Sequence, residues 1–98
     1  MADVNWAESG ARDLTEVCEF IERTSPTLAR SLATEAYASA RSLVVNPRMG
    51  AVVPEYDNED IREVQVRNHR LLYRLDGEEI IVIGFVNVSR RLPRTPPG

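Results

Sequence analysis

Hydrophobic spacing changes its period once along this chain, at Gly50, and that change leaves few folds open. Before Gly50, apolar side chains recur every three to four residues; after it, every second residue. Leu14, Val17, Cys18 and Ile21 form one stripe of an amphipathic helix that the spacing predicts over residues 9–24. Glu16, Glu19 and Glu22 lie on its solvent face. Ser25-Pro26 is a helix start, with serine as N-cap and proline at the first helical position. Ala29, Leu32, Ala33, Ala36, Ala40 and Leu43 then predict a second helix over 25–46, stopped at Asn46-Pro47. Two helices with so short a break read as an antiparallel hairpin, and the alanine-rich face allows close approach.

The period-two half reads as strands. Ala51 to Val53 has room for a short strand closed by Pro54, and Glu55 to Asp60 is an acidic loop. Ile61–Val66 and Arg70–Leu75 follow, separated by an Arg67-Asn68 turn. Asp76-Gly77 is a hairpin signal. Ile80–Val88 is apolar on both faces, as an interior strand requires. Val4-Asn5-Trp6 supplies one more strand at the start. The order is β-α-α-β-β-β, an α+β fold with the helical hairpin packed on a small antiparallel sheet. Residues 1–91 are expected to form a single domain, and 92–98, with Pro93, Pro96, Pro97 and Gly98, a Pro-rich tail.

A chain of 98 residues supports one modest core. Its longest apolar run, Ile80–Val86, falls well short of the roughly 20 residues a spanning helix needs. No secretion signal is visible at the start, so the expectation is a cytoplasmic protein away from membranes. One cysteine, Cys18, and one histidine, His69, leave no internal disulfide and no Cys/His zinc site. No metal or other cofactor is expected.

Charge is unevenly spread. All twelve basic residues are arginine. Residues 1–61 carry five arginines against eleven acids, whereas 62–98 carry seven against four. After Glu79 no acid appears, but Arg90, Arg91 and Arg94 do. The net charge of −3 argues against a general nucleic-acid binder. The asymmetry allows an acid- or anion-binding face in the second half.

Several local strings, in order, resemble the RelE/ParE superfamily of toxins from type II toxin–antitoxin systems. They are Trp6 followed by Asp13-Leu14; Ser25-Pro26; Asn46-Pro47 and Gly50 with Val53-Pro54-Glu55; Ile61-Arg62-Glu63; and His69-Arg70-Leu71-Leu72-Tyr73-Arg74-Leu75. The last is the most specific. The resemblance runs from Val4 to about Arg91. Three positions depart from it: Ala7 stands in place of a cap serine, Ala51 in place of a basic residue, and Asn87 where many members carry histidine.

The resemblance implies two activities. RelE-like members cut messenger RNA on the ribosome, and ParE-like members inhibit DNA gyrase. For a ribonuclease, Arg62, Glu63, Arg70, Arg74 and Arg90 would form the site. RNA cleavage through the 2′-hydroxyl needs a base, an acid and positive charge. Arginine supplies only the charge, because it stays protonated. Lysine is absent, and Leu92 lies where a nuclease often has tyrosine. Tyr73 alternates with Leu71 and Leu75 and reads as core-facing; Trp6 and Cys18 read as packing residues and His69 as half-exposed. The residues therefore favour a protein that is not an enzyme.

The string from Asn87 to Pro93 resembles ParE-like endings. On that reading Arg90, Arg91, Leu92 and Arg94, on a mobile basic tail, grip the target, DNA gyrase, with ribosome and mRNA as the alternative target. Removing the tail should then leave the fold intact. The resemblance also implies a cognate antitoxin in a hetero-oligomer, docking at the seam beside the helical hairpin and on Arg62, Arg70 and Arg74. A non-toxic antitoxin-binding module is the third reading.

Overall fold

The computed structural model describes residues 2–98. Seven elements follow one another: β1 (Asp3–Trp6), α1 (Glu8–Glu22), α2 (Pro26–Ser42), β2 (Ala51–Val52), β3 (Ile61–Val66), β4 (His69–Asp76) and β5 (Glu79–Asn87). The strands form one sheet in the order β1-β5-β4-β3-β2. The α+β fold, with both helices packed on one face of the sheet, is as expected, with Ala51–Val52 as a fifth strand.

The sheet is mixed rather than antiparallel. β2–β3, β3–β4 and β4–β5 pair antiparallel, but β1 lies parallel to β5, with Asp3 opposite Glu79 and Trp6 opposite Val82. β4 takes one edge of β5 through a two-residue turn, leaving the other edge open for β1. Ala7 N–H continues that ladder to Val82 O at 2.9 Å, carrying the chain directly from β1 into α1. A parallel partner needs a long connection, and here the helical hairpin and three strands supply it.

Local signals account for the helices. Ser25 Oγ accepts from Leu28 N–H at 3.2 Å and Pro26 is the first residue of α2. The helix ends at Ser42, four residues before Asn46, because its winding tightens. Val44 and Val45 N–H bond to Arg41 and Ser42 O, the i→i+3 pattern of a final 3₁₀ turn. Leu14, Leu32, Ala36, Ala40 and Leu43 from the helical half meet Val66, Leu71, Tyr73, Ile80, Val82 and Phe85 from the sheet in the main core.

A bulge in β5 sets how α1 sits. Leu72 pairs with Gly84 but Tyr73 with Val82, so Ile83 is the extra residue. The bulge turns Ile83 to the far face and returns Phe85 to the helix face. α1 stitches itself to this irregularity: Ser9 Oγ donates to Ile83 O at 2.7 Å, and Asp13 Oδ2 accepts from Phe85 N–H at 3.1 Å. These bonds anchor the start of α1, whose N-cap Ala7 makes no side-chain cap. Gly10 lies directly on the strand; a Cβ there would overlap Val82 O and sit 2.9 Å from Val82 C. Gly10→Ala is therefore expected to lower stability by about 1–3 kcal/mol. A denaturant midpoint equal to that of the parent would show that α1 can ride farther from β5.

The second face of the sheet is covered without a helix. Val53, Ile61, Leu72, Ile83 and Leu92 form a second apolar cluster, flanked by Tyr56, Ile81 and Val86. Its lid is made of the 53–60 loop and the segment after β5. That segment has no regular structure, yet Leu92 is only 8% exposed. Pro97 lies against Gly84, and Gly98 against Ile83. The expectation of a free, mobile tail is thus corrected: apolar burial holds a segment whose prolines cannot pair. Its removal would uncover the second cluster, so it is not neutral to the fold. No helix among the described residues is long and apolar enough to cross a membrane.

Candidate functional site

The arginines of the sheet do not form one basic face. Arg62 lies opposite Tyr73 in the β3–β4 register, on the helix side. Arg70 lies opposite Gln65, and Arg74 opposite Ile61, on the far side with Leu72. Period-two alternation puts Arg62 and Glu63 on opposite faces.

Arg70 is enclosed by carboxylates. Glu63, two residues from Gln65, is its diagonal neighbour on the same face. Arg70 Nε and Nη2 donate to the Glu63 oxygens at 2.6 and 2.9 Å. Nη1 and Nη2 donate to the Glu55 oxygens at 2.8 Å each. Two bidentate pairs thus occupy one guanidinium whose side chain is only 12% exposed. The hydrogen bonds from Arg70 hold the Glu55 carboxyl down to about 2, well below its usual range, while the two acids hold Arg70 charged.

Arg62 is occupied too. Its Nε donates to Glu59 O at 2.9 Å, and Nη1 to Gly50 O at 2.9 Å and Arg48 O at 3.3 Å. Across the same loop, Tyr73 Oη donates to Pro47 O at 2.7 Å and accepts from Gly50 N–H at 3.0 Å. Arg62 and Tyr73 together fix residues 47–50. Tyr73 is buried as expected, and burial pushes its phenol up. Arg74 donates to Gly98 O at 3.1 Å. His69 is half-buried and stacks on Phe85 with centroids 4.9 Å apart. Its Nδ1 is buried without a hydrogen-bond partner, and burial lowers its pKa. Cys18 and Trp6 are partly buried against the main core, Trp6 also lying 5.0 Å from the Tyr37 ring. Among the described residues, no group of three or more His, Cys, Asp or Glu side chains could hold a metal.

Among the arginines of residues 62–98, the unpaired ones lie at the end of the chain; Arg12, Arg23, Arg30 and Arg41 on the helical half are exposed as well. Arg90, Arg91 and Arg94 are exposed, and among the described residues no carboxylate pairs with them. Asn87 turns the chain out of β5: its Oδ1 accepts from Ser89 N–H at 2.9 Å and from Ser89 Oγ at 2.7 Å, an Asx turn. The chain then runs back over the second cluster. Leu92, expected among the target contacts, is the anchor underneath and is closed to a partner. Tyr56 Oη donates to Pro93 O at 2.8 Å. Sequence reasoning missed Tyr56, which no motif marks; Asn87-Val88-Ser89 carried an Asx-turn signal.

A mainly apolar seam, which shares Arg90 with the end segment, opens beside α1. A cavity of about 450 Å³ is lined by Val17, Phe20, Ile21, His69, Phe85 and Arg90, among others. Phe20 is 70% exposed at its rim. A smaller cavity of about 160 Å³ continues past Ile21 to Leu28 and Arg67. Arg67 is tied to Glu35.

The sequence model described as the ParE toxin of the type II toxin–antitoxin system parDE matches residues 4–93. No curated protein matches significantly. Among solved structures, the chromosomal ParDE toxin–antitoxin system from P. aeruginosa is similar, with a TM-score of 0.74 at 18% identity. The match covers 89% of this chain and 96% of that one. At that identity the likeness is one of fold.

Proposed function

The chain belongs to the ParE toxin family of type II toxin–antitoxin systems, and from that premise we propose that it inhibits DNA gyrase in the cytoplasm and is neutralised by a cognate antitoxin. The supporting observation is the division of labour among the arginines of residues 62–98. Arg62 and Arg70 spend their donors inside the fold, whereas Arg90, Arg91 and Arg94 are presented to solvent without a partner. A gyrase poison needs no proton-transfer group of its own; it needs a surface that grips the enzyme–DNA intermediate. Three unpaired guanidiniums suit DNA phosphate or an acidic protein surface.

The antitoxin is proposed to cover the apolar seam rather than the paired arginines. An exposed phenylalanine beside an open apolar cavity is the kind of surface an amphipathic helix covers.

One experiment tests both assignments. Arg91→Ala/Arg94→Ala should reduce inhibition of gyrase supercoiling roughly tenfold or more, as expected for losing two charged contacts, and leave antitoxin binding intact. Phe20→Asp should do the reverse: weaken co-purification with the antitoxin and leave gyrase inhibition unchanged. Full inhibition by the double arginine variant would remove the segment from the proposal. Discrete cuts in messenger RNA on induction, lost in that variant, would replace gyrase by the ribosome-dependent reading.

A further inference from the structure

Segment 90–97 contains three prolines and cannot be held by a backbone ladder. One side-chain hydrogen bond reaches it, from Tyr56 to Pro93 O, and a second, from Arg74, holds Gly98 O just beyond it. Leu92, the residue before Pro93, supplies the apolar contact. Tyr56 stands on a loop that is itself fixed. The preceding residue, Glu55, is clamped by both terminal nitrogens of Arg70, and Tyr56 and Asp57 N–H bond to Val53 O at 3.1 Å each. An unbroken set of contacts therefore runs from Arg70 in the sheet, through Glu55 and Tyr56, to Pro93. Pro93 lies between Arg91 and Arg94.

We propose that Tyr56 is a positioning residue for the target-binding arginines: its hydroxyl, with Leu92 as anchor, docks the segment so that Arg90, Arg91 and Arg94 meet the target as a preorganised set. The inference rests on the gyrase reading above. Its physical basis is entropic. A free chain end must be ordered residue by residue when its arginines engage, and that cost reduces affinity. A docked segment has met the cost in folding. The Arg70 clamp then serves binding at a distance, through the loop it holds.

The test compares Tyr56→Phe, Tyr56→Phe/Leu92→Ala and Arg91→Ala/Arg94→Ala with the parent. Readouts are the rate of trypsin cleavage after Arg91 and Arg94 by mass spectrometry, the melting temperature, and inhibition of bacterial gyrase on relaxed plasmid DNA. Tyr56→Phe keeps the ring and removes one hydrogen bond. It should speed cleavage roughly two- to tenfold while barely moving the melting temperature. The double Tyr56/Leu92 variant should cleave faster still and require at least about tenfold more protein for the same inhibition. Unchanged cleavage in Tyr56→Phe would overturn the docking role. Faster cleavage with unchanged inhibition in the Tyr56/Leu92 variant, while Arg91→Ala/Arg94→Ala loses inhibition, would overturn positioning and leave the gyrase reading standing. Retained inhibition in the Arg91/Arg94 variant would overturn both.

Discussion

Arg70→Met is expected to destabilise the protein by roughly 2 kcal/mol at neutral pH, below the ~3 kcal/mol or more of breaking a fully buried ion pair, and to reverse its response to acid. The figure is discounted because Glu55 is 40% exposed. Arg70 Nη2 touches both Glu55 and Glu63, so removing the guanidinium leaves two carboxylates facing each other with nothing between them. In the parent, Glu55 titrates at about 2 when folded, below the roughly 4.3 of an unfolded glutamate. Its contribution is therefore fully present above about pH 4.5 and is lost as pH falls toward 2. In the variant, the facing carboxylates favour taking up a proton. Stability should therefore rise on acidification toward about pH 4 and fall again as pH increases. Urea unfolding between pH 3.5 and 7 would show the two profiles converging at the acid end. Replacing all three residues, with Glu55→Gln and Glu63→Gln added to Arg70→Met, should recover much of the loss, because no unpaired charge remains. An Arg70→Met variant with the parent's stability and pH slope would show that the clamp is not a stability element.

Tyr73→Phe is expected to cost about 2–3 kcal/mol despite removing a single oxygen, because a buried backbone N–H and a part-buried carbonyl lose their partner together. The Tyr73 hydroxyl is the bridge between Pro47 O and Gly50 N–H, and its side chain has no solvent exposure. Phenylalanine at the same place leaves both groups facing an apolar ring. The loop cannot simply close on the gap. A Cβ at Gly50 would lie 2.5 Å from Glu63 O, which shows how tightly the backbone already sits, and Arg62 holds Gly50 O from the other side. For a domain of this size the loss corresponds to a drop in melting temperature on the order of 10–20 °C. Tyr73→Ala adds the loss of a buried ring, roughly a further 3 kcal/mol or more, and should not fold stably. Hydrogen exchange at the Gly50 amide should accelerate in Tyr73→Phe before any global change is visible. Melting within a few degrees of the parent, with Gly50 still protected, would mean that water replaces the hydroxyl.

Much of the architecture was written locally and could be read there. The helix stripe at Leu14, Val17, Cys18 and Ile21, the Ser25-Pro26 cap and the alternation through Ile61–Val66 and Arg70–Leu75 each depend on residues within a few positions of one another, so period and capping chemistry were enough. The family motifs belong to the same class, and the chain's place among ParE toxins follows from them. What escaped depends on residues far apart in sequence. Four residues of β1 carry no period that distinguishes a parallel from an antiparallel partner. Their partner is the one open edge of β5, more than seventy residues away, and the pairing is parallel. The faces of Arg62 and Arg70 are set by alternation, but their partners, Gly50 O and Glu55, come from the loops around β2 and are known only once those loops have closed on the sheet. The end segment was the largest surprise. Its prolines predict an absence of regular structure, and that holds, but a lack of backbone pairing does not make a chain mobile when a leucine has an apolar surface to cover. Composition and period thus determined the elements and their order. Only tertiary packing decided which arginines are engaged inside the fold and which face solvent, because a guanidinium's surroundings depend on which carboxylates and carbonyls the fold brings within its reach.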